Sequence, residues 1–115
     1  MITVHHLDHS RSQRVLWLLE ELGLDYEVVR YQRNPGNRLA PPELVAIHPL
    51  GKSPVITDGA RVVAESGAIV EYLIEKHGDG PLSPPSDPDA RLDHRYWMHY
   101  AEGSLMPLLV MKLIF

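Results

Sequence analysis

Cysteine is absent from the 115 residues, and that absence removes three classes of chemistry. The chain can hold no disulfide framework, no Cys-based zinc site and no Cys-x-x-Cys redox centre. A basic excess is lacking too: 11 Lys and Arg stand against 15 Asp and Glu, a formal charge of −4. Polyanion binding draws on cations that release counterions from phosphates, so neither nucleic acid nor an anionic membrane is an expected partner. No stretch reaches the ~20 apolar residues of a membrane span. The opening MITVHHLDHSRSQ has neither the basic start nor the apolar centre of a signal peptide, and a soluble, cytoplasmic protein is expected. What is present is an ordinary globular composition, 44% apolar and 23% charged, at a length that supports one core.

Periodicity orders the chain. Ile2 to Leu7 is a short β-branched and aliphatic run, followed by the polar Asp8-His9-Ser10-Arg11-Ser12. Val15, Leu16, Leu18, Leu19 and Leu22 then recur at helical spacing, Ser10 or Ser12 can cap the start, and Gly23 suits a left-handed stop. This predicts a helix over 12–22. Tyr26 to Tyr31 is a second strand, and strand, helix and strand in this order favour a parallel βαβ unit. Pro42 opens a short helix that must end before Pro49. Pro54 to Thr57 and Arg61 to Ala64 flank Asp58-Gly59, a signal for a tight antiparallel hairpin. Ser66 to Lys76 carries Ile69, Val70, Leu73 and Ile74 at helical spacing and ends before Gly78. The expected order is βαβ, α, ββα.

Gly78 to Pro88 contains four prolines and no periodicity, which marks a linker. From Asp89 to about Phe115 the apolar positions Leu92, Tyr96, Trp97, Tyr100, Leu105, Leu108 and Leu109 predict one broad-faced helix with a kink at Pro107. The expected organisation is an α/β domain over 1–78, a linker over 79–88 and a helix over 89–115. His94, Tyr96, Trp97, His99 and Tyr100 could line a pocket, but a Tyr and Trp stripe on an amphipathic helix is read as packing or subunit interface.

Three places could carry chemistry. At the first strand-to-helix turn, Ser10 and Ser12 sit among Arg11 and Arg14 beside the outward amides of a helix N-terminus, a corner that favours an anion. Were that anion a thiolate, a serine hydroxyl could donate to sulfur and lower a thiol pKa from its ordinary ~8.5. Simple helix capping explains the same serines. In Gly51-Lys52-Ser53-Pro54-Val55 a proline opens a strand, its tolerable place there. A cis bond would expose the Ser53 backbone to an extended peptide, and spacing leaves cis and trans open. Glu65-Ser66 offers a carboxylate and a hydroxyl at a helix start, suited to an amino acid's ammonium and carboxylate or, again, to capping. In a βαβ-ββα layout the three can converge on one edge of the sheet. His5, His6 and His9 cluster, yet strand alternation sends His5 and His6 to opposite faces, so no metal site is expected.

The segments HSRSQRVLWLLEELGLDYEVV, PELVAIHPLGKSPVITDG and ESGAIVEYLIEKHG together resemble the thioredoxin-like N-terminal domain of the cytosolic glutathione S-transferases, over Ile2 to about Gly78. The later DARLDHRYWMHYAEGSLMPLL resembles the first helix of that family's all-helical second domain. Within the family the chain looks nearest to serine-type enzymes of bacteria and fungi. The resemblance implies that Ser10, with Ser12 as runner-up, stabilises the glutathione thiolate. It implies that Ser53, before a cis Pro54, pairs with the cysteinyl part, that Lys52 approaches the glycyl carboxylate, and that Glu65 and Ser66 hold the γ-glutamyl end. Arg14 matches a recurrent family arginine whose role is packing as readily as ligand contact.

The implied activity is conjugation of the glutathione thiolate to an electrophile, with glutathione as co-substrate, no metal, and a homodimer in the full-length form. Family members continue through further helices that build the electrophile pocket and much of the dimer interface. The resemblance therefore implies a truncated product or fragment with an exposed apolar tail at 108–115. A non-catalytic glutathione-binding or interaction module, or an inactive fragment, is the alternative.

Overall fold

The computed structural model describes residues 1–77 and 82–115, in two compact units, Met1–Gly78 and Asp79–Phe115. The first part of the expected linker, Gly78 to Pro81, lies outside the described residues. In the first unit the elements are β1 (Ile2–Leu7), α1 (Ser12–Leu22), β2 (Tyr26–Tyr31), α2 (Pro42–Ile47), β3 (Val55–Asp58), β4 (Arg61–Ala64) and α3 (Ser66–His77). The sheet order is β2-β1-β3-β4. β1 and β2 are parallel, while β3 runs antiparallel to both β1 and β4. This mixed α/β arrangement is the thioredoxin-like fold expected above.

Local chemistry accounts for the element ends. α1 stops at Gly23, whose φ of 66° is left-handed, and the Gly23 and Leu24 amides return to the Glu20 and Leu19 carbonyls at 3.1 Å each. That pairing satisfies the last-turn carbonyls and favours glycine at the turning point. Asp58 faces Arg61 across a two-residue loop in which Gly59 takes φ 62°, the positive φ that tight hairpins demand. Pro54 falls just ahead of the first paired residue of β3 rather than inside it, because it has no N–H for a ladder.

The core lies between the sheet and the α1/α3 layer. Ile2 and Val4 of β1, Ile56 of β3, Val15 and Leu19 of α1, and Ile69 and Leu73 of α3 form one buried cluster. Side chains alternate along a strand, so His6 continues the face of Ile2 and Val4, the face that α1 covers. His5 falls on the other, buried between the Tyr31 hydroxyl at 2.9 Å and Thr57 Oγ1 at 3.1 Å. Burial lowers the His5 pKa, disfavouring the charged ring.

The second unit is helical. α4 (Pro88–Tyr100) is capped by Asp87, whose carboxylate accepts the Ala90 amide at 2.9 Å, with Pro88 in the first turn. The long helix expected here runs without a break as α4, a π-helical stretch over Ala101–Leu105 and α5 (Met106–Ile114). The Met106 amide reaches back to the Ala101 carbonyl, and this wider turn stands directly before Pro107, whose ring would otherwise strike the carbonyl four residues earlier. On α4 the Tyr96 and Tyr100 rings lie parallel at 6.2 Å, with Trp97 edge-on to both. Among the described residues no helix is long and apolar enough to cross a membrane.

Candidate active site

Register brings three distant segments to one end of the sheet. Val55 at the start of β3 faces His5 on one side and Ala64 on the other. The ends of β1 and β4 therefore flank the start of β3, and Asp8 to Ser12, Ser53-Pro54 and Glu65-Ser66 emerge together. The peptide Ser53-Pro54 is cis.

The serines form a hydrogen-bonded chain. Ser53 Oγ donates to the His5 carbonyl at 2.8 Å, and Ser10 Oγ donates to Ser53 Oγ at 3.2 Å. Ser10 Oγ lies 2.9 Å from Ser12 Oγ and accepts the Ser12 amide at 3.3 Å. Ser12 Oγ meets His6 Nδ1 at 2.5 Å. Beyond the ring, His6 Nε2 lies 3.3 Å from Asp8 Oδ1, and Asp8 Oδ2 accepts from the Arg30 guanidinium at 2.7 Å. Arg30, with help from His6, holds the Asp8 carboxyl below the usual carboxylate range.

These contacts separate two serines that capping treats alike. Ser12 is fully buried inside the first turn of α1. A buried hydroxyl must be satisfied, and this one turns to Ser10 and His6 instead of capping its own helix. Ser10 is half-buried at the mouth of that helix and takes one first-turn amide. Pro54 and Ser66 are buried, Ser53 is half-buried, and Lys52 and Glu65 are exposed. Glu65 has φ 73°, and its carbonyl accepts the Ile69 amide at 2.9 Å to open α3.

Four residues at this end of the sheet escape a reading by motif: His6, Asp8, Arg30 and Arg33. Arg33 donates to the carbonyls of Asp8 at 2.9 Å, Arg38 at 3.0 Å and His9 at 3.3 Å, which ties the loop after β1 to the loop after β2. A shallow polar pocket lined by Asp8, His9, Gln32, Arg33 and Arg38 adjoins it. Among the described residues no group of three or more His, Asp or Glu side chains is placed to hold a metal ion.

Residues 1–75 match the family model described as glutathione S-transferase, N-terminal domain. The chain belongs to the glutathione S-transferase family. Glutathione S-transferase 3 of Schizosaccharomyces pombe is 45% identical over 111 residues, which is 95% of this chain and 44% of that protein. Among solved structures, a glutathione S-transferase from Actinobacillus pleuropneumoniae matches with a TM-score of 0.78 and 47% identity, over 84% of this chain and 46% of that one. A theta-class glutathione S-transferase from Xanthomonas axonopodis pv. citri, solved with glutathione bound, matches with a TM-score of 0.70 and 31% identity over 90% of this chain and 49% of its own. The chain spans about half the length of the curated relatives it matches. The whole constellation from His6 to Ser66 falls inside the glutathione S-transferase N-terminal region.

Proposed function

We propose that the protein carrying this chain is a cytoplasmic glutathione transferase, and that this chain supplies its glutathione-binding half. The observation that carries the reading is the half-buried Ser10 hydroxyl at the mouth of α1, at the point where the ends of β1 and β4 meet the start of β3. Ser10 donates to the glutathione sulfur and stabilises the thiolate, aided by the partial positive charge of the helix N-terminus. The Ser53 backbone, next to Pro54, pairs with the cysteinyl unit. Lys52 attracts the glycyl carboxylate, and Glu65 with Ser66 takes the γ-glutamyl ammonium and carboxylate. The thiolate attacks an electrophilic carbon, a carbon–sulfur bond forms, and the leaving group departs with its bonding pair. Glutathione itself is the nucleophile, so the reading calls on no metal. Residues 1–78 serve as the glutathione domain, 79–88 as linker and 89–115 as the opening of a helical domain that completes the electrophile pocket and a homodimer interface.

The test is Ser10→Ala beside Ser12→Ala, assayed with glutathione and a generic aryl halide. Loss of one preorganised donor costs roughly 10²–10³ in kcat, so Ser10→Ala falls by that order while glutathione Kd stays within about threefold, since one hydroxyl contributes little to the ground state. A larger loss in Ser12→Ala moves the activating role to Ser12. Retention on immobilised glutathione with no turnover by the parent protein makes it a binding module instead.

A further inference from the structure

The group that the proposed chemistry leaves unused is His6. Its imidazole, about a quarter exposed, stands between two partners of different kind. Asp8 is an acceptor only, held ionised by Arg30, so Nε2 carries a proton toward it. Ser12 at Nδ1 can donate or accept. Each hydroxyl has one proton, and the polarity of the whole serine chain therefore follows from whether Nδ1 bears one.

With a neutral ring, Nδ1 accepts from Ser12, Ser12 accepts from Ser10, and Ser10 has only lone pairs left for a ligand. With an imidazolium the order reverses. Nδ1–H donates to Ser12, Ser12 donates to Ser10, and the Ser10 proton points away from the chain. Ser53 Oγ, 3.2 Å from Ser10 Oγ, is the acceptor within reach of that outward proton.

We propose that His6 receives the proton of the glutathione thiol through Ser10 and Ser12, and thereby sets Ser10 as donor to the thiolate. This rests on the assignment of Ser10 above. The transfer balances: the S–H bond breaks as its proton joins Ser10 Oγ, the Ser10 proton passes to Ser12 Oγ, and the Ser12 proton passes to His6 Nδ1. Thiol and imidazole become thiolate and imidazolium. The sulfur then faces a Ser10 O–H, and the imidazolium is paired with Asp8.

His6 touches no ligand and is a positioning residue. The charged groups facing it are Asp8, just past the end of its own strand, and Arg30, its register partner on β2. From the loop after β2, Arg33 holds the Asp8 and His9 carbonyls. α1 presents the buried, neutral Ser12, and its neighbours Arg11 and Arg14 are each engaged in interactions.

The experiment follows the ultraviolet absorbance of bound glutathione thiolate, and kcat, against pH in the parent protein, His6→Asn and Asp8→Asn. Asn can still hydrogen-bond Ser12 but takes up no proton. In His6→Asn the thiol pKa rises by about one unit or more, and kcat near neutral pH falls roughly tenfold and recovers in alkali, one unit being a tenfold change in thiolate fraction. Glutathione Kd holds within about threefold. Asp8→Asn shifts the titration the same way by less, because the imidazolium loses its counterion. A low thiol pKa that is the same in the parent and both variants overturns the proposal. If His6→Asn does not fold, Asp8→Asn decides alone: a shift supports the relay and no shift overturns it. A parent protein that binds no glutathione, or leaves its thiol unshifted, refutes the assignment of Ser10 and the relay with it.

Discussion

Glu65 holds a backbone conformation that its side chain makes expensive. At φ 73° the Cβ of an L-residue crowds the carbonyl, at about 1–2 kcal/mol, and glycine would adopt the same angle freely. Its carbonyl is needed to start α3, but a carbonyl is available from any residue. A carboxylate kept at such a position points to a use outside folding, which the proposed γ-glutamyl contact supplies. Glu65→Gly relieves the strain and adds unfolded-state entropy of about 0.4–1 kcal/mol, so folding stability should stay within about 1 kcal/mol of the parent or rise. Glutathione affinity should drop about tenfold or more, the worth of one charge-assisted hydrogen bond. Glu65→Ala should lose the same affinity without the relief. Thermal melts and titration calorimetry separate the two effects, and a Glu65→Gly protein that binds normally takes Glu65 out of the site.

A second carboxylate works at the level of elements. Asp58 ends β3, and its Oδ2 accepts the Tyr72 hydroxyl at 2.7 Å and Lys76 Nζ at 3.1 Å, with His77 Nε2 at 3.5 Å. One anion thus ties the hairpin to the last turns of α3, and the basic pair Lys76 and His77 suits a helix C-terminus. Tyr72 first, then Lys76, lower the Asp58 pKa to about 2. The folded value lies below the unfolded one of about 3.9. The contribution is therefore complete above about pH 5 and is lost as the pH falls through 4 toward 2. Discounted for the half-exposed Lys76, it amounts to about 1–2 kcal/mol. Melting temperature measured from pH 6 to pH 2 should drop more steeply in the parent than in Asp58→Asn, and parallel curves would show that the tie contributes nothing.

This tie, like the His6–Asp8–Arg30 group, is invisible to a local reading. The bounds of β1, α1, β2 and β4 follow from apolar spacing, a property of neighbouring residues, and the Gly59 turn sets the β3–β4 register. With that register Glu65-Ser66 comes beside Ser53-Pro54, which is why the convergence of these segments was legible in outline. Arg30 stands across from His6 only because two parallel strands pair in one particular register, and no residue near either position marks it. Alternation does place His6 on the face that α1 covers. That signal is present in the sequence, but a cluster of three histidines draws attention to metals first.

At the scale of the whole molecule the two units differ in how they treat apolar side chains. The first gathers Ile2, Val4, Val15, Leu19, Ile56, Ile69 and Leu73 into one buried cluster. In the second, no residue of α4, the π-helical stretch or α5 is buried, and Leu108, Leu113 and Phe115 are 69%, 86% and 96% exposed. Burying one such side chain yields about 1.5–3 kcal/mol, and large apolar side chains left exposed together on one short helix favour association. This chain on its own should therefore self-associate, its mass by light scattering rising with concentration above the 13.0 kDa of one copy. Leu108→Glu with Leu113→Glu should return the mass toward a single copy and leave the Ser10 region unaltered, because neither leucine belongs to the cluster that supports the sheet. A monodisperse parent chain of one-copy mass at every concentration would show that this surface is not adhesive.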